Sequence, residues 1–251
     1  MRIERLYRYP VKGLNAEALD GADVQAGGAL PWDRAFALAH GDAPFDPAAP
    51  MFLPKSNFMC LLRHAGIAGL RAAFDPHGPA LAIRAPDGTG VTADPLNPAG
   101  REQIGKFLTA FLGPEARGTP HFHHVPGHVF GDQRSPVVSL INLRTLAAFE
   151  AAVGAERDAM RFRANVYFTG ADPWTEFEWV GQDIQIGTAR LRVTKRTVRC
   201  AAVEVNPRTA ERDANPIREL RRLYGHADLG VHAEVVEAGR IAPGDALEVL
   251  G

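Results

Sequence analysis

Cys200 is one of only two cysteines in the 251-residue chain, and it lies in a strongly cationic stretch. Lys195, Arg196 and Arg199 all precede it closely. Positive charges beside a thiol favour its thiolate form, which binds soft metals and attacks electrophiles. The alternative is a strand residue that merely lies between surface arginines, because a free cysteine is often simply buried. Cys200 is therefore the first candidate for a metal ligand or a nucleophile.

Further polar side chains could bind an anion. Arg161, Arg163 and Asn165 alternate along the sequence RFRAN. If this stretch is a β-strand, all three point to one face, and that face suits a phosphate or a polar heterocycle. The alternative is a solvated strand face. Lys12 follows a predicted strand end and Arg34 follows a Gly/Pro-rich turn, where such side chains are more often solvated than functional.

The stretch 114–136 contains four histidines, and its proline and glycine residues predict an irregular loop: His121, His123, His124 and His128. Imidazole is a common ligand of transition metals. The spacing matches no helical i, i+4 pair, however, and no cysteine lies nearby. Whether these histidines bind a metal stays open from the sequence. Cys60, in the apolar sequence NFMCLL, is predicted to be a core residue.

The elements that must position these residues are mostly short strands. Strand-sized apolar runs separated by turn sequences predict a small antiparallel β module over residues 1–95. Three amphipathic stripes begin at or near an asparagine and end at a glycine, which predicts helices near 98–112, 142–153 and 216–224. Strands are predicted at 162–168, 184–193 and 198–205, among others. The fold class is therefore mainly β with peripheral helices (α+β), with a second domain over 96–251 built as a β-barrel.

Composition excludes several classes of protein. Lys and Arg total 28 against 29 Asp and Glu, so the chain lacks the positive field of a general nucleic-acid binder. Two cysteines are too few for a disulfide scaffold, a four-cysteine zinc site or a four-thiolate iron–sulfur cluster. Charges interrupt the N-terminal stretch, and no apolar run approaches about 20 residues. We therefore expect a cytoplasmic protein with no membrane or nucleic-acid partner.

An ordered set of motifs runs through nearly the whole chain: YPVKG at 9–13, Asp33-Arg34, RFRAN at 161–165, EFEW at 176–179, VRC at 198–200, Asn206-Pro207 and PGD at 243–245. In this order the motifs resemble the MOSC family, in which an N-terminal MOSC β-barrel module precedes a MOSC domain. The chain is similar to the bacterial and mitochondrial amidoxime-reducing molybdenum proteins and to the C-terminal domain of molybdenum-cofactor sulfurases.

The resemblance implies a molybdopterin-type molybdenum cofactor, with Cys200 as the thiolate ligand of the metal. It also implies that the cofactor is held by Lys12, Arg34, Arg163, Asn165 and Arg199. Two positions depart from the common family pattern: Gly13 stands where serine is usual, and Ala164 stands where proline is usual. Neither change removes a charge or the metal ligand.

The implied activity is the reduction of small N-hydroxylated compounds, such as amidoximes and hydroxylamines, by oxygen-atom transfer to molybdenum. Because the chain has too few cysteines for a ferredoxin-like domain, an external electron-donor protein of the ferredoxin or flavoprotein type is implied. Two alternatives stay open. Cys200 could carry a persulfide supplied by a pyridoxal-phosphate-dependent desulfurase, which would make the chain a sulfur or cofactor carrier. The chain could also be a non-catalytic β-barrel binding protein.

Overall fold

The computed structural model describes residues 1–250, and within them the chain forms fifteen strands and three α-helices. The helices are α1 (Pro98–Leu112), α2 (Leu143–Val153) and α3 (Pro216–Tyr224). The strands are β1 (Arg2–Arg8), β2 (Glu17–Ala18), β3 (Ala22–Val24), β4 (Phe36–Ala39), β5 (Arg71–Asp75), β6 (Ala80–Arg84), β7 (Gly90–Ala93), β8 (His121–His124), β9 (Val138–Asn142), β10 (Val166–Thr169), β11 (Asp183–Ile186), β12 (Ala189–Val198), β13 (Asp228–Glu237), β14 (Gly239–Ile241) and β15 (Leu247–Leu250).

The largest element is an open eight-stranded sheet with the order β15-β11-β12-β13-β9-β10-β1-β2. Its neighbouring strands pair antiparallel, except β9 and β10, which run parallel. The first strand of the chain, β1, pairs with β10, so the N-terminus is part of this sheet. One face buries a core of aliphatic side chains such as Leu140, Leu191 and Val231. The predicted fold class, mainly β with peripheral helices, is confirmed.

Two of the three smaller sheets belong to the N-terminal half, and the third pairs β3 with β14. Strands β5, β6 and β7 form an antiparallel meander, and β4 pairs with β8. Helix α1 packs Ile104, Leu108 and Leu112 into the same apolar cluster as β4, β5 and β6. The division of the chain between residues 95 and 96 stays a prediction. Among residues 1–250, none of the helices combines the length and the apolar character needed to cross a bilayer.

The three helices lie within a residue of where the sequence predicts them, because their end signals are local. Asn97, Asn142 and Asn215 each accept a hydrogen bond from a backbone N–H of the first helical turn. Gly154 and Gly225 follow α2 and α3 in the left-handed conformation that ends a helix without steric strain. Neither signal needs tertiary structure to act.

The predicted strand at 162–168 is wrong in its first half. Residues 159–162 form a 3₁₀ helix, and Arg163 follows in the left-handed conformation with φ 52°. Asp158 stabilises this turn, because its side chain accepts a hydrogen bond from the backbone N–H of Met160. The chain enters β10 only at Val166. Arg161 and Arg163 therefore do not alternate along a strand, and the argument that placed them on one face fails.

Two further predictions are corrected. The predicted strand at 198–205 is interrupted: β12 ends at Val198, and residues 201–204 form a 3₁₀ helix. The histidine-rich stretch is not all loop, because His121–His124 form β8, which pairs with β4 and buries Phe122. Pairing across more than eighty residues decides this strand, and no local signal in a four-residue run of three histidines indicates it.

Candidate functional site

A cavity of about 410 Å³ is lined by all six residues that the sequence selects: Lys12, Arg34, Arg163, Asn165, Arg199 and Cys200. They arrive from separate segments of the chain, after β1, before β4, before β10 and after β12. Each lies just outside a regular element, where the backbone is free to turn toward the cavity. The geometry therefore brings the six together, although their roles toward a ligand stay predictions.

Cys200 is the thiol that solvent reaches. It is half-buried, two residues beyond β12, and its Sγ accepts a hydrogen bond from Lys55 Nζ at 3.1 Å. Cys60, the other cysteine, is 5% exposed, and burial raises the pKa of its thiol. Cys60 is a core residue, as predicted, at the edge of the same cavity. Reactive thiols need access and a cationic environment, so the two cysteines differ in the way that matters for chemistry.

Lys12 is a buried cation, with 5% of its surface exposed. Its Nζ donates to the carbonyl of Phe130 at 2.9 Å and to Asp132 Oδ1 at 2.5 Å. Burial lowers the pKa of Lys12, while the Asp132 carboxylate acts in the opposite direction. Asp132 also accepts from Lys55 Nζ at 3.1 Å. Lys55 is thus shared between Asp132 and Cys200, a role that the sequence analysis missed.

Arg34 and Arg163 lie against the ring of Tyr9, with their Cζ atoms 4.4 and 4.3 Å from its centroid. Arg34 pairs with the buried Asp33 and donates to the carbonyl of Arg163 at 3.1 Å. Arg163 donates to the carbonyl of Leu14 at 2.7 Å. Both arginines have a positive φ, 50° and 52°, which is uncommon for a residue other than glycine and costs about 1–3 kcal/mol each.

Asn165 uses its side chain to join three strands. Its Oδ1 accepts from the backbone N–H and the hydroxyl of Ser139, at 3.1 and 2.8 Å. Its Nδ2 donates to the carbonyl of Tyr7 at 3.1 Å. Asn165 is 1% exposed, so these hydrogen bonds form away from water, where leaving them unmade would be costly. These hydrogen bonds of Asn165 hold together the segments that form this side of the cavity.

Within residues 1–250, Arg199 has no carboxylate partner. It donates from Nε to the carbonyl of Leu229 and from Nη1 to that of Phe162, both at 2.8 Å. Burial lowers the pKa of Arg199 to about 10. Arg161 differs, because it forms an ion pair with Asp213 at 2.5 Å and so connects the lining of the cavity to a neighbouring loop.

Positive charge dominates the lining. Two carboxylates, Asp33 and Asp132, face seven cationic side chains: Lys12, Arg34, Lys55, Arg134, Arg161, Arg163 and Arg199. Because holding several cations together in a partly dry cavity is unfavourable without anions, this surplus fits an anionic ligand.

Within residues 1–250, three buried polar atoms of cavity-lining residues have no hydrogen-bond partner: Arg161 Nε, Thr197 Oγ1 and His232 Nδ1. Burial, with Arg199 and Lys195 nearby, lowers the pKa of His232 to about 3, so its imidazole is neutral at pH 7. An unpaired buried polar atom costs about 1–3 kcal/mol, which a bound polar group would recover. The cationic surplus, these unpaired atoms and a reachable thiol together fit a phosphate-bearing group that contains a soft metal. Thr197, three residues before Cys200, could have been selected because it lies in the same cationic stretch.

Three of the four histidines of the predicted loop lie on β8, and the fourth lines the cavity. His123 lies on β8 with its ring 4.9 Å from that of Phe45, and burial lowers its pKa to about 4. His128 lines the cavity. Within residues 1–250, no group of three or more histidine, cysteine or acidic side chains is arranged to hold a metal ion by itself.

Comparisons with known proteins come in three kinds. The family described as "MOSC N-terminal beta barrel domain" matches residues 1–114, and the "MOSC domain" matches residues 126–248. Among solved structures, the YUAD protein from Bacillus subtilis is 16% identical with a TM-score of 0.46, and the match covers 99% of this chain and 94% of that one. YiiM from Geobacillus stearothermophilus is 19% identical with a TM-score of 0.36, over 45% and 54% of the two chains. Similarity at this level adds nothing to the assignment. No curated protein matches the chain significantly.

The two family matches follow one another along the chain and leave only a short connection and the last residues outside. The motifs around Cys200 and Arg163 fall inside the second match. The chain therefore belongs to the MOSC-domain family, which is associated with the molybdenum cofactor, and it consists of a MOSC N-terminal β-barrel domain followed by a MOSC domain.

Proposed function

We propose that the chain binds a molybdopterin-type molybdenum cofactor in this cavity and reduces N-hydroxylated compounds, such as amidoximes and hydroxylamines. The observation that carries the proposal is the placement of the reachable thiol, Cys200, in a cavity whose charged side chains are mostly cationic. A thiolate is a soft ligand suited to a soft metal, and the cations suit the phosphate of a pterin. Family membership supports the same cofactor class.

Each proposed ligand-binding residue has a distinct task. Cys200 binds the metal through Sγ, and Lys55 orients that sulfur with its ammonium group at 3.1 Å. Lys12, Arg34 and Arg163 bind the phosphate region. Arg199, next to Cys200 in sequence, is half-buried and supplies a fixed positive charge, because two backbone carbonyls hold its guanidinium in place.

When bound, the cofactor supplies two-electron oxygen-atom transfer chemistry. The overall reaction consumes two electrons and two protons for each N–O bond broken, and it releases an amine or amidine and one water. The protein's own contribution is to bind, orient and shield the reacting groups. The ammonium group of Lys55 lies beside the proposed reaction centre and can donate a hydrogen bond to the substrate oxygen.

Electrons come from another protein in this proposal. The two cysteines are too few for a four-thiolate iron–sulfur cluster of the ferredoxin type. An external ferredoxin- or flavoprotein-type donor therefore reduces the site between turnovers.

The test begins with protein expressed in a cofactor-competent host supplied with molybdate. The wild type is expected to contain molybdenum and to oxidise reduced viologen when an amidoxime is added. Cys200→Ser nearly preserves shape but removes the soft ligand, so we expect loss of at least about 100-fold in this activity. Pterin can stay bound to the variant through Lys12, Arg34 and Arg163.

Cys60→Ser is the matched control, because it makes the same change at a buried thiol that has no proposed role. It should keep its activity, with a modest loss of stability from a polar atom in the core. Equal activity in wild type and Cys200→Ser, or wild-type protein free of molybdenum, would refute the proposed function.

The second candidate function is a persulfide carrier, and it is favoured by the exposure of Cys200 and by its contact with Lys55. The Cys200 thiolate would attack the outer sulfur of a persulfide on a pyridoxal-phosphate-dependent desulfurase, and the desulfurase cysteine would leave as a thiolate. The ammonium of Lys55 would stabilise the anionic persulfide. Incubation with a desulfurase and cysteine would then add 32 Da at Cys200 in intact-mass spectra, roughly one sulfur atom. No such gain would exclude this candidate.

A further inference from the structure

A short segment of irregular chain crosses the cavity. This segment, residues 127–136, connects the turn after β8 to β9, and we call it the strap. Most of its residues line the cavity. Phe130 anchors the strap, because it is 2% exposed and its backbone N–H donates to the carbonyl of Arg34 at 2.8 Å. Beyond Phe130, the strap is held largely by side chains that reach it from the other side of the cavity.

Asp132 is the main point of attachment. Its two carboxylate oxygens accept from Lys12 at 2.5 Å and from Lys55 at 3.1 Å. The partners differ in burial: the Lys12 side chain is 6% exposed, whereas that of Asp132 is 47% exposed. Leaving a buried ammonium group without an acceptor is costly, but a half-solvated carboxylate can return to water at little cost. In this pair Asp132 is therefore the partner that can leave.

The strap has room to move. A second cavity, also of about 410 Å³, is lined by the strap residues 132–135 and, on its far wall, by Thr194, Lys195 and Glu234. The same four strap residues line the first cavity. Because they are shared by both cavities, displacement of the Asp132 side chain out of the first cavity meets open space.

We propose that Asp132 determines the ligand specificity of the cationic cavity, as a tethered carboxylate that a doubly charged phosphate group displaces and a singly charged anion does not. The inference deepens the proposed function and rests on it for the anionic class of the ligand. It adds the residue that rejects the wrong anions.

The physical reason is competition at high effective concentration. A carboxylate on a short tether is present at its lysine partners at an effective concentration of roughly millimolar or above. A free carboxylate offers the same charge and the same oxygens, so it gains nothing by replacing Asp132. A phosphate group carries a charge of about −1.5 to −2 and three acceptor oxygens. It can satisfy Lys12 and Lys55 together and still reach Arg34 or Arg163.

The test measures anion binding to the full chain by titration calorimetry at low ionic strength. Inorganic phosphate, glycerol phosphate and acetate are the probes. Wild-type protein should bind both phosphates and show no heat with acetate. Asp132→Asn should bind phosphate about fivefold more tightly, the size expected for loss of a partly exposed ion pair, and should gain acetate binding. Tighter binding of the ester than of free phosphate would show that the ligand carries its phosphate on an organic group, and equal binding that free phosphate suffices.

Two variants control the charge change. Asp132→Glu keeps the tethered carboxylate and should restore the wild-type preference for phosphate. Glu102→Gln removes an exposed carboxylate on α1, outside both cavities, and should change none of the three titrations. Asp132→Asn should fold, because Lys12 keeps the carbonyl of Phe130 as an acceptor.

Limited proteolysis reports the strap directly. Arg134 is exposed, and trypsin cleavage after it should become faster when phosphate is added to wild-type protein, because Asp132 is then displaced. In Asp132→Asn, cleavage should be fast with or without phosphate. The proposal is overturned if acetate binds to the wild type, if phosphate binds neither protein, if Asp132→Asn titrates like the wild type, or if phosphate leaves cleavage unchanged. Molybdenum content tests the proposed function separately. If the wild type contains molybdenum but Asp132→Asn binds anions as the wild type does, only this inference is refuted.

Discussion

The two sides of the cavity hold their cations in opposite ways. On one side, which we call the wall, Tyr9, Arg34, Arg163 and Asn165 are tied to backbone groups, to each other and to the buried Asp33. On the other side, Lys12 and Lys55 hold the half-exposed Asp132 of the strap. The wall is built before any ligand arrives, whereas the strap is held by contacts that a ligand can replace. Pre-organisation and selectivity are thus assigned to different segments.

The largest expected effect is at the centre of the wall. Tyr9 is 1% exposed, and its ring carries Arg34 and Arg163 on its surface. Tyr9→Ala should lower the free energy of unfolding by about 3–5 kcal/mol, because it opens a cavity beneath two cations. Tyr9→Phe keeps the ring and removes only the hydrogen bond to the Ala164 carbonyl, a loss of about 1 kcal/mol. Urea denaturation measures both, and equal losses would show that the ring does not support the wall.

The next prediction concerns pH and His232, at the border of the wall. Burial, together with Arg199 and Lys195, lowers the pKa of His232 to about 3 in the folded protein, whereas in the unfolded chain it is about 6.5. As the pH falls below about 6.5, the unfolded chain gains a proton that the folded protein does not. Stability should therefore decrease from about pH 6.5 down to about pH 3. Denaturation across this range should show a smaller decrease for His232→Gln, and an unchanged slope would contradict the assignment.

The smallest effect is expected in the strap. Arg134 is exposed, and its guanidinium lies 5.6 Å from the ring of Phe52. Arg134→Ala should change the free energy of unfolding by less than about 0.5 kcal/mol, since it removes no buried contact. The same variant should lose the tryptic site within the strap. A loss of several kcal/mol would mean that the strap belongs to the folded core, and the contrast with the wall would not stand.

Local signals account for the parts of the fold that the sequence predicted well. Asparagine caps and terminal glycines act within a few residues, so α1, α2 and α3 lie where the sequence places them. The motifs around Cys200 and Lys12 are also local, and they select residues that line the cavity. The backbone conformation around Arg163 could not be predicted in the same way. Alternating polar residues occur in turns as well as in strands, so the sequence assigned Arg163 to a strand. Only the contacts of Asp158 and Tyr167 show that it lies in a turn.

Residue types and end signals in the sequence by themselves determined the mainly β class and the three helices. They also selected Cys200, with its cationic neighbours in sequence, as the first candidate for a functional residue. Tertiary structure alone decided that Lys55 reaches Cys200 across 145 positions of sequence and that Asp132 joins Lys12 and Lys55. It also decided that Thr197 and His232 each keep a buried polar atom with no partner among residues 1–250. The physical reason is distance along the chain. A cap or a turn is stabilised by neighbours in sequence, whereas a hydrogen bond between remote segments exists only after the sheets have packed and closed the cavity between them.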